Sequence, residues 1–276
     1  MTKRVALVTG AGGTLGSAFC AVLARAGFSV AANDINPEAA ERCAQGLRDQ
    51  GHDARAWPVD ISDRAAVDEM VSAIEQETGP LTVLVNNAGL PGPFSLIVDI
   101  EDTAWDATLR VHLYGSFYLI RAAARCMIPR KWGRIINIAS VAGMLGTVGS
   151  AEYGAAKAGL MNLTMTAAKE LAPYGVTANA IAPGMVATHV NRELQEQGSR
   201  FISTAVDGTP DGKLADPSEI ADLLGFLCSE AGGHINGVTI PIDGASTLEM
   251  ATDGYMRRAL AKRSSFMKEA GDAVSS

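Results

Sequence analysis

The sequence predicts an α/β protein: one doubly wound domain with a seven-stranded parallel sheet and helices on both faces. Three observations carry this. Short runs rich in β-branched residues recur at 5 to 8, 29 to 33, 81 to 85, 133 to 138, 176 to 182 and 238 to 242, with a weaker one at 54 to 59. Stretches of helical periodicity separate them, and such alternation implies right-handed βαβ units whose strands are buried on both sides. The 276 residues show no break in composition that would mark a second core, and that length suits one large α/β domain. Residues 1 to 249 are assigned to this domain and 250 to 276 to a C-terminal extension.

The first run, Val5 to Val8, leads directly into Thr9-Gly10-Ala11-Gly12-Gly13-Thr14-Leu15-Gly16. A helix follows, with Leu15, Phe19, Val22, Leu23 and Ala26 on one stripe and a stop at Gly27. Glycines let the backbone turn sharply and approach a pyrophosphate, and a helix N-terminus presents unpaired N–H groups to it. Strand, glycine turn and helix in that order make a Rossmann-type dinucleotide site, with Gly10, Gly13, Thr14, Leu15 and Gly16 as its candidate contacts.

The second strand closes at Asp34, 24 residues after Gly10, where a carboxylate can accept hydrogen bonds from both adenosine ribose hydroxyls. The same charge repels a 2′-phosphate, so NAD is expected over NADP; the competing reading is a turn residue ahead of Asn36-Pro37. The third strand ends at Asp60, beside Ile61. Asp60 is a candidate for the adenine amino group, or else a helix cap working with Ser62. Asn87, Ala88 and Gly89 end the fourth strand, at the sheet edge where ligand contacts gather.

The fifth strand ends at Ile138-Ala139-Ser140, and Tyr153 and Lys157 follow on a helix. Four residues apart, these two share one helical face. An ammonium there favours the phenolate, which suits Tyr153 to general acid/base work at a carbinol oxygen that Ser140 positions. Glu152 is expected to face solvent, with contact to a hydroxylated substrate as the alternative. The sixth strand runs to Pro183-Gly184, and the mixed, polar segment 185 to 213 sits where a lid over a pocket would be inserted. Asp216-Pro217-Ser218-Glu219 opens the next helix with a capping acid, a proline and a glutamate that reinforce one another. Beyond the last strand the extension carries Arg257, Arg258, Lys262, Arg263 and Lys268, with Met256, Leu260, Phe266 and Met267 as a weak apolar stripe. It reads as a cap over a pocket, a flexible end, or a basic helix that docks an acidic partner.

A net charge of -7 with no basic block argues against a nucleic-acid partner, whose phosphates demand a positive face. Small-molecule ligands are expected. Cys20, Cys43, Cys126 and Cys228 are far apart with no C-x-x-C pair, and the histidines lack ligand spacing, so neither disulfides nor a metal is expected. No 18-residue apolar span and no signal-like N-terminus is found, so no membrane partner is expected and a cytoplasmic location is the default.

Thr9 to Gly16, Asp60, Asn86 to Gly89, Ser140, Tyr153, Lys157, Asn179, Pro183-Gly184 and Asp243-Gly244 together resemble the short-chain dehydrogenase/reductase family over roughly residues 3 to 247. The resemblance implies that Lys157 also holds the nicotinamide ribose and lowers the tyrosine's pKa, with Tyr153 itself among the cofactor contacts. It implies that Asn87 to Gly89 support cofactor and sheet, that Pro183, Gly184, Val186 and Thr188 contact the carboxamide, and that the chain is a homodimer or homotetramer. Two positions depart from the family's usual residues: Thr14 for glycine, and His112, within Leu109 to Gly115, for an asparagine that anchors a water near the lysine. His112 is expected to take over that anchoring or to shuttle protons near neutrality, or merely to fill the space.

Candidate substrate contacts are Met144, Leu145, Met185 and His189, within a mouth that includes Pro91, Pro93, Phe94, Val148 and Phe201. Their apolar character suits a secondary alcohol or ketone with a hydrophobic portion. The expected activity is hydride transfer between NAD(H) and that group; a 3-oxoacyl-thioester reductase and a non-catalytic nucleotide sensor are the alternatives.

Overall fold

A computed structural model describes residues 3 to 90, 92 to 249 and 253 to 261. Seven strands form one sheet, all neighbours parallel, in the order β3-β2-β1-β4-β5-β6-β7. They are β1 Val5–Thr9, β2 Ser29–Asn33, β3 Ala54–Trp57, β4 Leu81–Asn86, β5 Gly133–Ile138, β6 Val176–Pro183 and β7 Thr239–Ile242. The helices are α1 Thr14–Arg25, α2 Pro37–Asp49, α3 Arg64–Glu77, α4 Asp102–Leu109, α5 Ser116–Arg130, α6 Ala151–Leu171, α7 His189–Glu196, α8 Arg200–Asp207, α9 Pro217–Cys228 and α10 Asp253–Ala261. The third strand is shorter than its sequence run, stopping at Trp57 before Pro58, which has no N–H for a ladder.

The sheet is buried on both sides because successive residues point to opposite faces. Ala6 and Val8 of β1 pack with Phe19 and Leu23 of α1, Ala44 and Leu47 of α2 and Ile220 and Leu224 of α9. Val5 and Leu7 meet Val67 and Ile74 of α3, Leu119 and Met127 of α5 and Leu171 of α6. The strand order reverses between β1 and β4, and such a switch point opens a crevice at the strands' carboxyl ends.

Polar ties fix that crevice. Asn86 donates to Asn137 at 2.7 Å, and Asn137 donates to Thr164 of α6 at 2.7 Å. The Thr9 hydroxyl accepts from the backbone N–H groups of Asn87 and Ala88, and the Asn87 amide donates to the Thr9 and Gly10 carbonyls. Asn179 joins β6 to the turn before β7.

The capping box at Asp216 and Glu219 forms as expected. All four cysteines lie in helices and are free. Segment 185 to 213 holds α7 and α8, and its base is closed by a parallel bridge between Val186 and Ala215, in which Ala187 donates to the Ala215 carbonyl and Ala215 to that of Met185. In the extension, α10 exposes Met256 and Leu260. Lys262, Arg263, Phe266, Met267 and Lys268 lie outside the described residues, as does Pro91. Among the described residues, no helix is long and apolar enough to cross a membrane, and no metal-binding cluster is found.

Candidate active site

A cleft of about 420 Å³ opens at the carboxyl ends of β1, β4, β5 and β6. One end of it is the glycine turn. Gly10 has φ +63°, and a Cβ at Gly16 would overlap the Gly10 carbonyl, so the turn can close onto α1 only without side chains at these positions. The N-cap of α1 is Gly13, which offers no side-chain acceptor, leaving first-turn N–H groups free to face an anion. Asp34 lies beside this turn: its Oδ2 accepts from the Gly12 N–H and its Oδ1 from the Asn36 N–H, each at 3.0 Å. Among the described residues no arginine lines the cleft, and Lys157 is the one lysine that does. These residues fit a dinucleotide: a pyrophosphate cradle at one end, and a carboxylate where a ribose would be held.

Ser140, Tyr153, Lys157 and His112 all line the same cleft, as do Gly10, Gly13 to Gly16, Asn87 to Gly89, Pro183, Gly184, Val186 and Thr188. Asp60 and Ile61 line a small cavity of about 120 Å³ that shares Gly10, Asp34, Ala88 and Gly89 with the cleft. Asp60 accepts from the Ser62 N–H at 2.8 Å in a local turn, while the helix cap of α3 is Asp63. The capping alternative for Asp60 therefore falls: the acid one turn later holds the α3 N–H groups.

Burial governs the protonation chemistry. Lys157 is enclosed, its Nζ donating to the Ile138 carbonyl at 2.6 Å, and burial lowers its pKa to about 7. Tyr153 is raised above the usual phenol value by burial, partly offset by a hydrogen bond with Ser140. The expected lowering by the ammonium does not appear: Lys157 Nζ lies 5.5 Å from the Tyr153 ring centroid, and burial sets the direction of the shift. His112 is likewise corrected. Burial, reinforced by the charge of Lys157, lowers its pKa to about 3 despite a hydrogen bond with Leu90, so it does not titrate near neutrality. Its ring stands edge-on to Tyr153, centroids 5.2 Å apart.

His112 sits in a π-helical turn, Arg110–Gly115, between α4 and α5. One extra residue in a helical turn is a device found at functional sites, and no periodicity in the sequence announces it. Leu90, Ile138 and Ala139 also line the cleft and were missed because they carry no distinctive chemistry; only their places next to Gly89 and Ser140 could have signalled them.

The substrate side differs more from expectation. Met144 and Leu145, predicted as substrate contacts, do not line the cleft and are exposed, as is Val148, while Phe94 meets Phe201 of α8 edge-on, centroids 5.8 Å apart. Met185 does not line the cleft; it lines a separate cavity with Thr209, Asp211 and Pro241, and its carbonyl accepts from the Ala215 N–H. The His189 side chain is exposed, paired with Glu193 one turn on, while its N–H reaches the Thr14 hydroxyl at 3.5 Å. Glu152, expected to face solvent, is fully buried, since its side of α6 packs inward.

Comparisons with known proteins agree with this geometry. The family model for short chain dehydrogenases matches residues 4 to 199. The 2,3-dihydro-2,3-dihydroxybenzoate dehydrogenase of Bacillus subtilis is 36% identical over 252 residues, covering 89% of this chain and 96% of that protein. The 3-oxoacyl-[acyl-carrier-protein] reductase FabG of Pseudomonas aeruginosa is 35% identical over 241 residues, covering 87% and 96%. Among solved structures, an NAD+-bound xylitol dehydrogenase superposes with a TM-score of 0.82 at 33% identity, covering 87% of this chain and 97% of that one. Fold, cleft and relatives lead to one assignment: the chain belongs to the short-chain dehydrogenase/reductase family of oxidoreductases, which bind a nicotinamide cofactor.

Proposed function

We propose that this protein is an NAD-dependent dehydrogenase that interconverts a secondary alcohol and a ketone. The observation that carries the reading is that Asp34 and the Tyr153-Lys157-Ser140 group line one continuous cleft. Asp34 accepts ribose hydroxyls and repels a 2′-phosphate, and no arginine in the cleft compensates such a phosphate. The similarity to an NAD+-bound xylitol dehydrogenase supports the same cofactor.

When bound, the nicotinamide accepts or gives the hydride. The chain's own residues handle the proton. Tyr153 takes it from the carbinol oxygen during oxidation and returns it during reduction. Ser140, within hydrogen-bonding reach of Tyr153, holds that oxygen, and Lys157 binds the ribose. His112 fixes Leu90 and the wall beside Tyr153 as a neutral imidazole. Phe94, Leu145, Val148 and Phe201 are exposed and apolar, which suits a substrate with a hydrophobic portion. A homodimer or homotetramer is the proposed assembly.

The FabG relatives favour one second reading, reduction of a 3-oxoacyl thioester. One screen separates the two: secondary alcohols, polyols, sterols and hydroxyacyl thioesters are offered with NAD or NADP, and reduced nicotinamide is followed by absorbance. Turnover of an alcohol with NAD supports the first reading. Exclusive use of thioesters with NADP(H) establishes the second, and no turnover in either direction defeats both.

A further inference from the structure

Two thiols that lie far apart in the sequence meet between α1 and α2, beside the glycine turn. Cys20 of α1 is fully buried, and Cys43 of α2 is half-buried against the same apolar cluster. The two elements approach closely here: a Cβ at Gly12, just ahead of α1, would stand 2.5 Å from the Cβ of Ala39 in the first turn of α2. Cys43 follows Ala39 by one turn on the same face of α2, and Cys20 follows Gly16 by one turn on α1. The contact thus continues inward to the two cysteines, whose side chains are hydrogen-bonding partners. Asp34 is near enough for its charge to act on Cys43.

This contact makes the two sulfurs unequal. The Cys20 S–H donates to Cys43 Sγ, which holds the Cys43 thiol below its ordinary pKa, while the same bond and burial push Cys20 well up. Cys43 is therefore the sulfur of the pair that ionises first and the one a small oxidant reaches. Directly behind it stands a protonated thiol placed to resolve whatever forms there. Cys126 and Cys228 differ: burial pushes them up to about 11 and about 12.

We propose that Cys20 and Cys43 are a redox-sensitive modification site: hydrogen peroxide converts them to a disulfide, and the disulfide weakens binding of the nicotinamide coenzyme. Cys43 Sγ attacks one peroxide oxygen; an S–O bond forms, the O–O bond breaks, and the other oxygen leaves as hydroxide, which takes up a proton. Cys20 Sγ then attacks the sulfenic sulfur, the S–O bond breaks, and that oxygen leaves as water with the proton from Cys20. The two thiols lose two electrons and two protons, and the peroxide becomes two waters. A disulfide holds its sulfurs about 2.05 Å apart, closer than any thiol contact, so forming it draws α2 onto α1. With Gly12 and Ala39 already closely packed, the shift falls on Asp34, which joins the two elements through the Gly12 and Asn36 N–H groups. The effect on coenzyme rests on the reading of Asp34 as a ribose contact; the disulfide does not.

The test exposes the full-length protein, first reduced with dithiothreitol, to hydrogen peroxide in the wild type, C20A and C43S. Unreduced tryptic peptides are weighed and NADH affinity is read by fluorescence. In the oxidised wild type the peptide of residues 5 to 25 is expected linked to that of residues 43 to 48. Its NADH affinity falls at least about ten-fold, the scale of one charged hydrogen bond, and dithiothreitol restores it. C20A stops at a Cys43 sulfenic acid that dimedone traps, and both variants keep their NADH affinity. Unlinked peptides from the oxidised wild type overturn the proposal, as does a linkage that leaves NADH affinity unchanged. Equal loss of affinity in all three proteins places the damage elsewhere and overturns it too. A reduced wild type that prefers NADPH, or binds neither coenzyme, fails at the Asp34 reading and overturns the coenzyme effect with it, while the peptide linkage still decides the modification site.

Discussion

His112 Nε2 lies 3.0 Å from the backbone nitrogen of Leu90 and 3.1 Å from the Leu90 carbonyl oxygen. One imidazole nitrogen can accept from the first or donate to the second, never both at once. An asparagine amide has an oxygen and an NH2 group, and so can serve both. The π-helical turn places His112 to make this tie, and its buried Nδ1 has no hydrogen-bond partner among the described residues.

His112→Asn is therefore expected to keep the limbs of the pH-rate profile where the parent enzyme has them, since a group with pKa about 3 contributes no limb near neutrality. A limb that moves in the variant would show that His112 titrates. His112→Leu leaves the Leu90 N–H without its acceptor, at a cost of about 1–3 kcal/mol, read as a drop in denaturation midpoint.

Lys157 links stability to pH. Its folded-state pKa of about 7 lies below the ordinary 10.5. Between those values the unfolded chain holds a proton that the folded chain does not, so this group's contribution makes stability rise with pH from about 7 to 10.5 and stay flat below. Lys157→Met is expected to flatten that rise and raise the melting temperature at pH 7, by about 2–4 °C for each kcal/mol gained, while activity collapses. Melting curves at several pH values check the first two effects. An unchanged slope would show that Lys157 is not the buried base described.

Tyr153→Phe removes the hydroxyl and leaves the ring that packs against His112. Turnover is expected to fall by about 10²- to 10⁴-fold, the usual span for general acid/base catalysis. NADH binding, followed by fluorescence, should change little. A loss confined to binding would contradict the proton-transfer role.

Asp34→Ala removes a charged acceptor of ribose hydroxyls. Losing about 1.5–3 kcal/mol of charged hydrogen bonding raises KM for NAD by about ten- to a hundred-fold. Discrimination against NADP narrows at the same time. An unchanged KM for NAD would remove Asp34 from the site.

The strands were legible because a parallel sheet covered on both faces writes itself as apolar β-branched runs, as at Val5 to Val8 and Val176 to Ala182. The cleft residues were legible for a related reason: Gly10, Asn87, Ser140 and Gly184 each follow a strand, so chain order alone brings them to one edge of the sheet. What could not be read depends on packing between segments distant in sequence. Glu152 looked like a surface acid because nothing local records that Gly92 lies over it. Met185 looked like a substrate contact because nothing local records that its carbonyl pairs with Ala215 and that it lines a separate cavity. The π-helical turn at His112 and the capping of α3 by Asp63 instead of Asp60 are shifts of one to three residues, finer than periodicity resolves.

The two hydrogen bonds at Asp34 carry a lesson for anyone redesigning the cofactor preference. The carboxylate that would discriminate between coenzymes also fastens the glycine turn through Gly12 and the start of α2 through Asn36. A serine or alanine introduced to admit a phosphorylated coenzyme withdraws both fastenings at once. A workable redesign has to rebuild the turn's internal bracing in the same step as it installs a cation.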